Sequence, residues 1–146
     1  MVVTITALLF LIFTFSAPCL VLKDGETGAV IRSFPVREGE EFAVTFIHSV
    51  NQSPVTEVYQ IRNGEIYVVR TIYYAFGAGV PSELAEGQRL AYAEDGAMVV
   101  TGIDRRLTRL SYIVGTDSDH TLAIGGESIS LLRLCGRNAT VRFETG

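Results

Sequence analysis

Three glycine-containing pairs, Asn63-Gly64, Asp95-Gly96 and Gly125-Gly126, each stand between two runs of strand-forming residues, and they constrain this chain more than any other feature. A two-residue type I′ turn requires positive φ at both central positions, which Asn, Asp and Gly adopt with least strain. Each pair therefore predicts a hairpin: 56–62 with 65–73, 89–93 with 97–101, and 121–124 with 128–132. Alternation adds a strand through Phe42, Val44 and Phe46, and further strands are expected at 29–34, 110–114 and 139–143. Residues 82–86, which follow Pro81 and stop at Gly87, offer at most one helical turn. About nine to ten short strands with turns at this spacing describe an all-β chain, an antiparallel β-sandwich or small barrel.

Ahead of the hairpins, residues 2–22 carry no charged side chain. A run of about 20 apolar residues is long enough to cross the hydrocarbon core as a helix, whereas the apolar part of a secretory signal peptide takes about 7 to 15. The expectation is one N-terminal hydrophobic helix over 1–22, a transmembrane anchor in preference to a cleaved leader, followed by a single β domain over 23–146. The first basic residue is Lys23, so the positive-inside rule orients the segment only weakly. The domain is expected on the extracytoplasmic side of the cell membrane, single-pass, or secreted if the leader is removed. Cys19 follows Ser16-Ala17-Pro18, a poor context for a lipoprotein cysteine, and Cys135 beside Leu131-Leu132-Arg133-Leu134 reads as a buried thiol. Two cysteines make no disulfide framework and no zinc spacing.

With 12 Lys and Arg against 16 Asp and Glu the net charge is -4, and 48% of the residues are hydrophobic. This excludes a disordered chain and a polybasic nucleic-acid binder. No cofactor motif is present.

The segment Phe46-Ile47-His48-Ser49-Val50-Asn51-Gln52-Ser53-Pro54-Val55-Thr56-Glu57 carries the most chemistry. If residues 51–54 form a four-residue loop, His48 falls opposite Glu57, Phe46 opposite Tyr59 and Val44 opposite Ile61, on one face. A carboxylate beside an imidazole is part of an acid/base apparatus, part of a metal site, or a structural hydrogen bond that lines a pocket. His48 and Ser49 are neighbours on a strand and so point apart, and no third catalytic member is visible. His48, His120, Asp117 and Asp119 have no spacing specific to a metal. Phe76-Gly77-Ala78-Gly79-Val80-Pro81 lacks the Lys-Ser/Thr of a phosphate loop and reads as an ordered strand exit. Arg105, Arg106 and Arg109 cluster near a turn, where guanidinium groups suit a carboxylate ligand or ordinary surface ion pairs.

Taken together, Ile47-His48-Ser49-Val50, Ser53-Pro54-Val55, Glu57, Phe76-Gly77-Ala78-Gly79-Val80-Pro81, Asp104-Arg105-Arg106, His120-Thr121-Leu122 and Gly125-Gly126 resemble a family of small exported prokaryotic proteins classed as a domain of unknown function. The resemblance runs from Leu20 to the end of the chain. It implies an extracytoplasmic accessory protein, because members of that family are often encoded beside TRAP-type solute transporters with a TAXI-group binding protein. It supplies no catalytic residues. Two functions follow as expectations. One is a non-enzymatic, membrane-tethered module that assists a TRAP-type uptake system, with His48, Ser49, Glu57, Gly77, Gly79, Arg105 and Arg106 as recognition surface. The other is a small extracytoplasmic hydrolase or metal-dependent enzyme that uses His48 with Glu57.

Overall fold

The chain reverses direction where its glycine pairs stand. A computed structural model describes residues 18–75, 83–115 and 118–146. Among these residues, eleven strands and one short helix follow in order: β1 (Cys19–Asp24), β2 (Val30–Pro35), β3 (Glu41–Ile47), β4 (Pro54–Arg62), β5 (Glu65–Tyr73), β6 (Arg89–Tyr92), β7 (Met98–Leu107), β8 (Leu110–Val114), β9 (Thr121–Ile124), β10 (Glu127–Ser130), α1 (Leu131–Cys135) and β11 (Ala139–Thr145). They form two antiparallel sheets, a narrow one in the order β2-β1-β11-β8 and a wide one in the order β10-β9-β3-β4-β5-β7-β6. The architecture is a β-sandwich.

At Asn63-Gly64 the φ values are 50° and 71°, and at Gly125-Gly126 they are 56° and 80°, as the type I′ reading requires. Asp95-Gly96 differs, because only Gly96 is left-handed. There the Asp95 carboxylate accepts the Ala97 N–H at 3.0 Å, and the hairpin closes one residue further out, between Ala93 and Ala97. The strand expected over 128–132 stops at Ser130. The Ser130 Oγ accepts the Arg133 N–H at 3.1 Å and caps α1, while Leu131 is fully buried. Residues 83–86 contribute turns and bends.

Strand β1 begins inside the apolar N-terminal run. Leu20 and Leu22 are completely buried, and β1 pairs with β2 on one side and β11 on the other. The run therefore enters the sandwich at Cys19, four residues ahead of the boundary that charge alone suggests. The helix expected over 1–22 otherwise lies outside the described residues. Among the described residues, no helix is long and apolar enough to cross a membrane.

The main core joins the sheets. Phe42 of β3 stacks on Tyr59 of β4 with ring centroids 5.1 Å apart, and on Phe143 of β11 at 5.9 Å. Val44, Leu122 and Ile61 from the wide sheet meet Leu20, Val114 and Val141 from the narrow one in the same cluster. Each such side chain contributes on the order of 1.5–3 kcal/mol by leaving water. A second, smaller cluster of Val55, Tyr73, Met98 and Val100, flanked by Phe46, Leu90 and Ile103, has all these members on the wide sheet, and Tyr112 of the narrow sheet reaches it only at Phe46 among the described residues. The wide sheet overhangs its partner here.

Candidate functional site

The overhang leaves a groove of about 970 Å3 on the inner face of the wide sheet. Strand register arranges its floor in three transverse rows. Phe46, Val55, Tyr73 and Met98 form the first, and Val44, Glu57, Thr71 and Val100 the second. Phe42, Tyr59, Val68 and Arg105 form the third. Residues directly opposite each other on antiparallel strands share a face, so each row presents its side chains inward. Glu57 is thus a carboxylate set in an apolar floor, on a central strand.

What holds it there is a pair of phenols. Glu57 Oε2 accepts the Tyr59 hydroxyl at 2.8 Å and the Tyr112 hydroxyl at 2.5 Å, and the two phenols also contact each other. Tyr59 comes from the same strand two residues on, whereas Tyr112 comes from β8 of the narrow sheet. Burial, reinforced by the nearby Glu57 charge, raises the Tyr59 pKa far above the ordinary phenol value of 10. Burial, with Tyr59 and then Glu57 adding to it, does the same to Tyr112. Both therefore stay protonated and act as fixed donors to the carboxylate. Glu57 Oε1 accepts no hydrogen bond among the described residues, and it is not among the polar atoms sealed without a partner. One oxygen is occupied and the other faces the groove.

Arg105 reaches the groove through a distortion of β7. Between the pairs Val68↔Arg105 and Arg70↔Thr101, three β7 residues, Gly102, Ile103 and Asp104, stand opposite the single β5 residue Val69. Gly102 has φ +73° and Asp104 φ 44°. A Cβ at position 102 would lie 2.3 Å from the Gly87 carbonyl oxygen, so only glycine lets the segment ending at Gln88 close against the bulge. The bulge sets Arg105 opposite the buried Val68, on the inner face. It acts electrostatically on Tyr59, whose ionised form it favours, and it makes no ion pair among the described residues. Arg106 borders the groove as well and pairs with Glu65 at 2.6 Å. Arg105 and Arg106 thus share the groove's rim, and of the two only Arg106 has an acid among the described residues.

The register expected for His48 is corrected. Val44, not His48, lies opposite Glu57, and Ile47 lies opposite Pro54, a shift of four residues. His48 starts a six-residue loop that is closed by its own N–H to the Ser53 carbonyl at 2.9 Å. Gln52 takes φ 52°, and Asn51 Oδ1 accepts the Ser53 hydroxyl at 2.9 Å, which gives the loop its extra length. At about 3.3 Å per residue, the shift carries the His48 backbone about 13 Å along the strand from the Glu57 row. The imidazole uses Nδ1 to accept the Val50 N–H at 3.2 Å, and no His48–Glu57 hydrogen bond forms. Both residues border the groove nonetheless, because a four-residue shift preserves the face. Ser49 is exposed in the same loop, where its carbonyl accepts from the Gln52 side chain. Gly77 and Gly79 lie outside the described residues, as does Asp117.

His120, read as a metal candidate, instead stacks on Phe46 with centroids 5.4 Å apart. Burial pushes its pKa below the ordinary imidazole value, against the opposing charge of Asp119, and its buried Nδ1 has no partner among the described residues. Asp119 accepts the Leu132 N–H at 2.9 Å. Among the described residues, no three His, Cys, Asp or Glu side chains converge to hold a metal ion. Tyr112 and Thr71 are site residues that the sequence reading did not name. Thr71 follows from pairing β5 to β4, but Tyr112 is 55 positions from Glu57 and carries no local signal.

Fold and site together define a two-sheet antiparallel sandwich whose wider sheet keeps part of its inner face open around a phenol-bound carboxylate. Residues 42–131 match the family described as Domain of unknown function (DUF1850), and the chain belongs to that family. The matched stretch holds the wide sheet from the second residue of β3 onward, together with β8. No curated protein and no solved structure matches the chain.

Proposed function

We propose that this chain is an extracytoplasmic binding module, tethered through its apolar N-terminal segment, that serves a TRAP-type solute uptake system and receives a small organic ligand in the groove. The observation that carries this reading is a half-open apolar groove containing a carboxylate that two permanently protonated phenols hold in place. Its volume lies in the range of small-molecule sites, which combine an apolar lining with a few fixed polar groups. The Glu57 carboxylate, with one oxygen spoken for, serves better to hold a donor group than to relay protons to an imidazole whose backbone lies about 13 Å up the strand. The uptake role draws on the resemblance to proteins encoded beside such transporters.

The test replaces Phe46 with Glu, which blocks the first row of the groove at a partly buried position. Expected results are loss of solute uptake in cells that still export normal amounts of the folded variant, and co-purification of the unaltered protein with the permease from solubilised membranes. Undiminished uptake, with the gene deleted or the groove blocked, would overturn the reading.

A further inference from the structure

The groove contains two charged groups whose ionic or hydrogen-bonding capacity is incomplete among the described residues, and they are of opposite sign. Glu57 Oε1 is one, since both phenols bind Oε2. The Arg105 guanidinium is the other. Every other arginine that borders the wide sheet along β4, β5 and the bulge has a carboxylate: Arg62 pairs with Asp104, Arg70 with Glu41 and Arg106 with Glu65. Arg105 borders the groove and is the one of these four without an acid among the described residues.

Their spacing is set by the sheet. Arg105 is two strands from Glu57 and one row further along. With strands about 4.8 Å apart and residues about 3.3 Å apart, the two backbone positions are about 12 Å from each other. The side chains cover part of that distance, and between them lie Val68, Val100 and Thr71. Glu57 is half-buried whereas Arg105 is exposed at the mouth. An occupant therefore needs an inner donor, an apolar middle and an outer acid.

We propose, resting on the reading of the groove as a ligand site, that its ligand is a small organic carboxylate bearing an ammonium group at the far end of a short apolar chain, with the carboxylate on Arg105 and the ammonium on Glu57 Oε1. Guanidinium binds carboxylate in a two-pronged geometry that lysine lacks, and the ammonium completes the coordination of an oxygen that the phenols leave open. A purely apolar ligand would leave both charges without a partner in a site it has just dried, and that costs affinity.

The probes are 6-aminohexanoate, hexanoate and hexylamine, each titrated into the purified protein and followed through backbone amide shifts of β4, β5 and β7. The bifunctional compound is expected to bind about tenfold more tightly than either fragment, the effect of one further charge-assisted contact. Arg105→Gln is expected to bring 6-aminohexanoate down to the affinity of hexylamine while leaving hexylamine unchanged. Glu57→Gln is expected to bring it down to that of hexanoate. Arg105 makes no ion pair among the described residues and is exposed, so its variant is expected to keep the fold even if Glu57→Gln disturbs the phenol cluster, and amide dispersion reports on both. Equal binding of all three compounds, or an Arg105→Gln protein that still prefers 6-aminohexanoate, would overturn the proposal. If only neutral hexanol binds, and Phe46→Ala abolishes it, the groove remains a ligand site and the paired-charge claim falls. If no probe perturbs the groove, both readings fall together.

Discussion

The two parts of the wide sheet's inner face differ in what covers them. Under the narrow sheet, Val44, Ile61, Leu122 and Ile124 are packed to near-complete burial against residues such as Leu20 and Val141. On the overhang, strands with the same alternation leave Phe46, Leu90 and Ile103 only partly covered, and room remains for Glu57, Thr71 and Arg105. Strand propensity is alike in both parts. The difference arises because the ends of β4, β5 and β7 that carry Val55, Tyr73, Met98 and Val100 lie beyond the part of the sheet where Ile66 and Val68 pack into the core shared with the narrow sheet. A charged group can lie on an inner face where no second sheet closes over it, and Glu57 sits at that border, held by Tyr112 from the last strand that does reach across.

The largest expected effect tests the closed part. Leu122→Ala removes a fully buried side chain between sheets and is expected to cost about 2–5 kcal/mol in chemical denaturation. Val55→Ala on the overhang is expected to cost about 1.5 kcal/mol, the worth of roughly two methyl-sized groups. Equal losses would mean that the overhang is as closed as the core. Next comes Gly102→Ala, which imposes a side chain at φ +73° against the Gly87 carbonyl. About 1–3 kcal/mol of destabilisation is expected, together with displaced amide signals in residues 83–88. If only stability changes and those signals stay, the bulge does not hold that segment against the groove.

Smaller still is Tyr112→Phe, which removes one donor from Glu57 and is expected to cost about 1 kcal/mol. A double-mutant cycle with Tyr59→Phe is expected to show non-additivity, because both phenols share one oxygen. Strict additivity would mean that they act separately.

The smallest effect depends on pH. The His120 pKa is lowered by burial, so below the ordinary imidazole value of 6.5 the unfolded chain binds more protons than the folded one. The stability of its neutral state is fully present above about pH 6.5 and is lost as pH falls through the lower folded value. His120→Phe, which keeps a ring on Phe46, is expected to flatten this part of the denaturation midpoint profile. A separate loss, unaffected by that variant, is expected near pH 4 and below. There, Asp24 and Asp95, held down by hydrogen bonds from Thr27 and Ala97, and Glu144, held down by Lys23, take up protons.

How far the sequence could be read follows the range of each interaction. Hairpins at Asn63-Gly64 and Gly125-Gly126 were legible because two adjacent residues decide them. The face shared by Phe46, Glu57 and Tyr59 was also legible, since period-two alternation survives any even shift in register. The partner of Glu57 was not. Loop length set that register, and the loop grew from four to six residues through side-chain hydrogen bonds of Asn51 that no pattern of apolar residues encodes. Strand β1 was hidden because Cys19–Leu22 continue an apolar run without a break. The five residues of α1 are too few for helical periodicity, and 128–132 read as one strand. Tyr112 required the sandwich itself.

The first and last strands also decide how the molecule yields to force. Cys19 and Gly146 exchange backbone hydrogen bonds at 3.1 and 3.0 Å, and β1 and β11 run antiparallel from that corner. Tension applied between residues 18 and 146 would part this ladder rung by rung, as a zipper opens, instead of shearing all its bonds at once. A module anchored at one of these ends and gripped at the other would release its narrow sheet first and at low load.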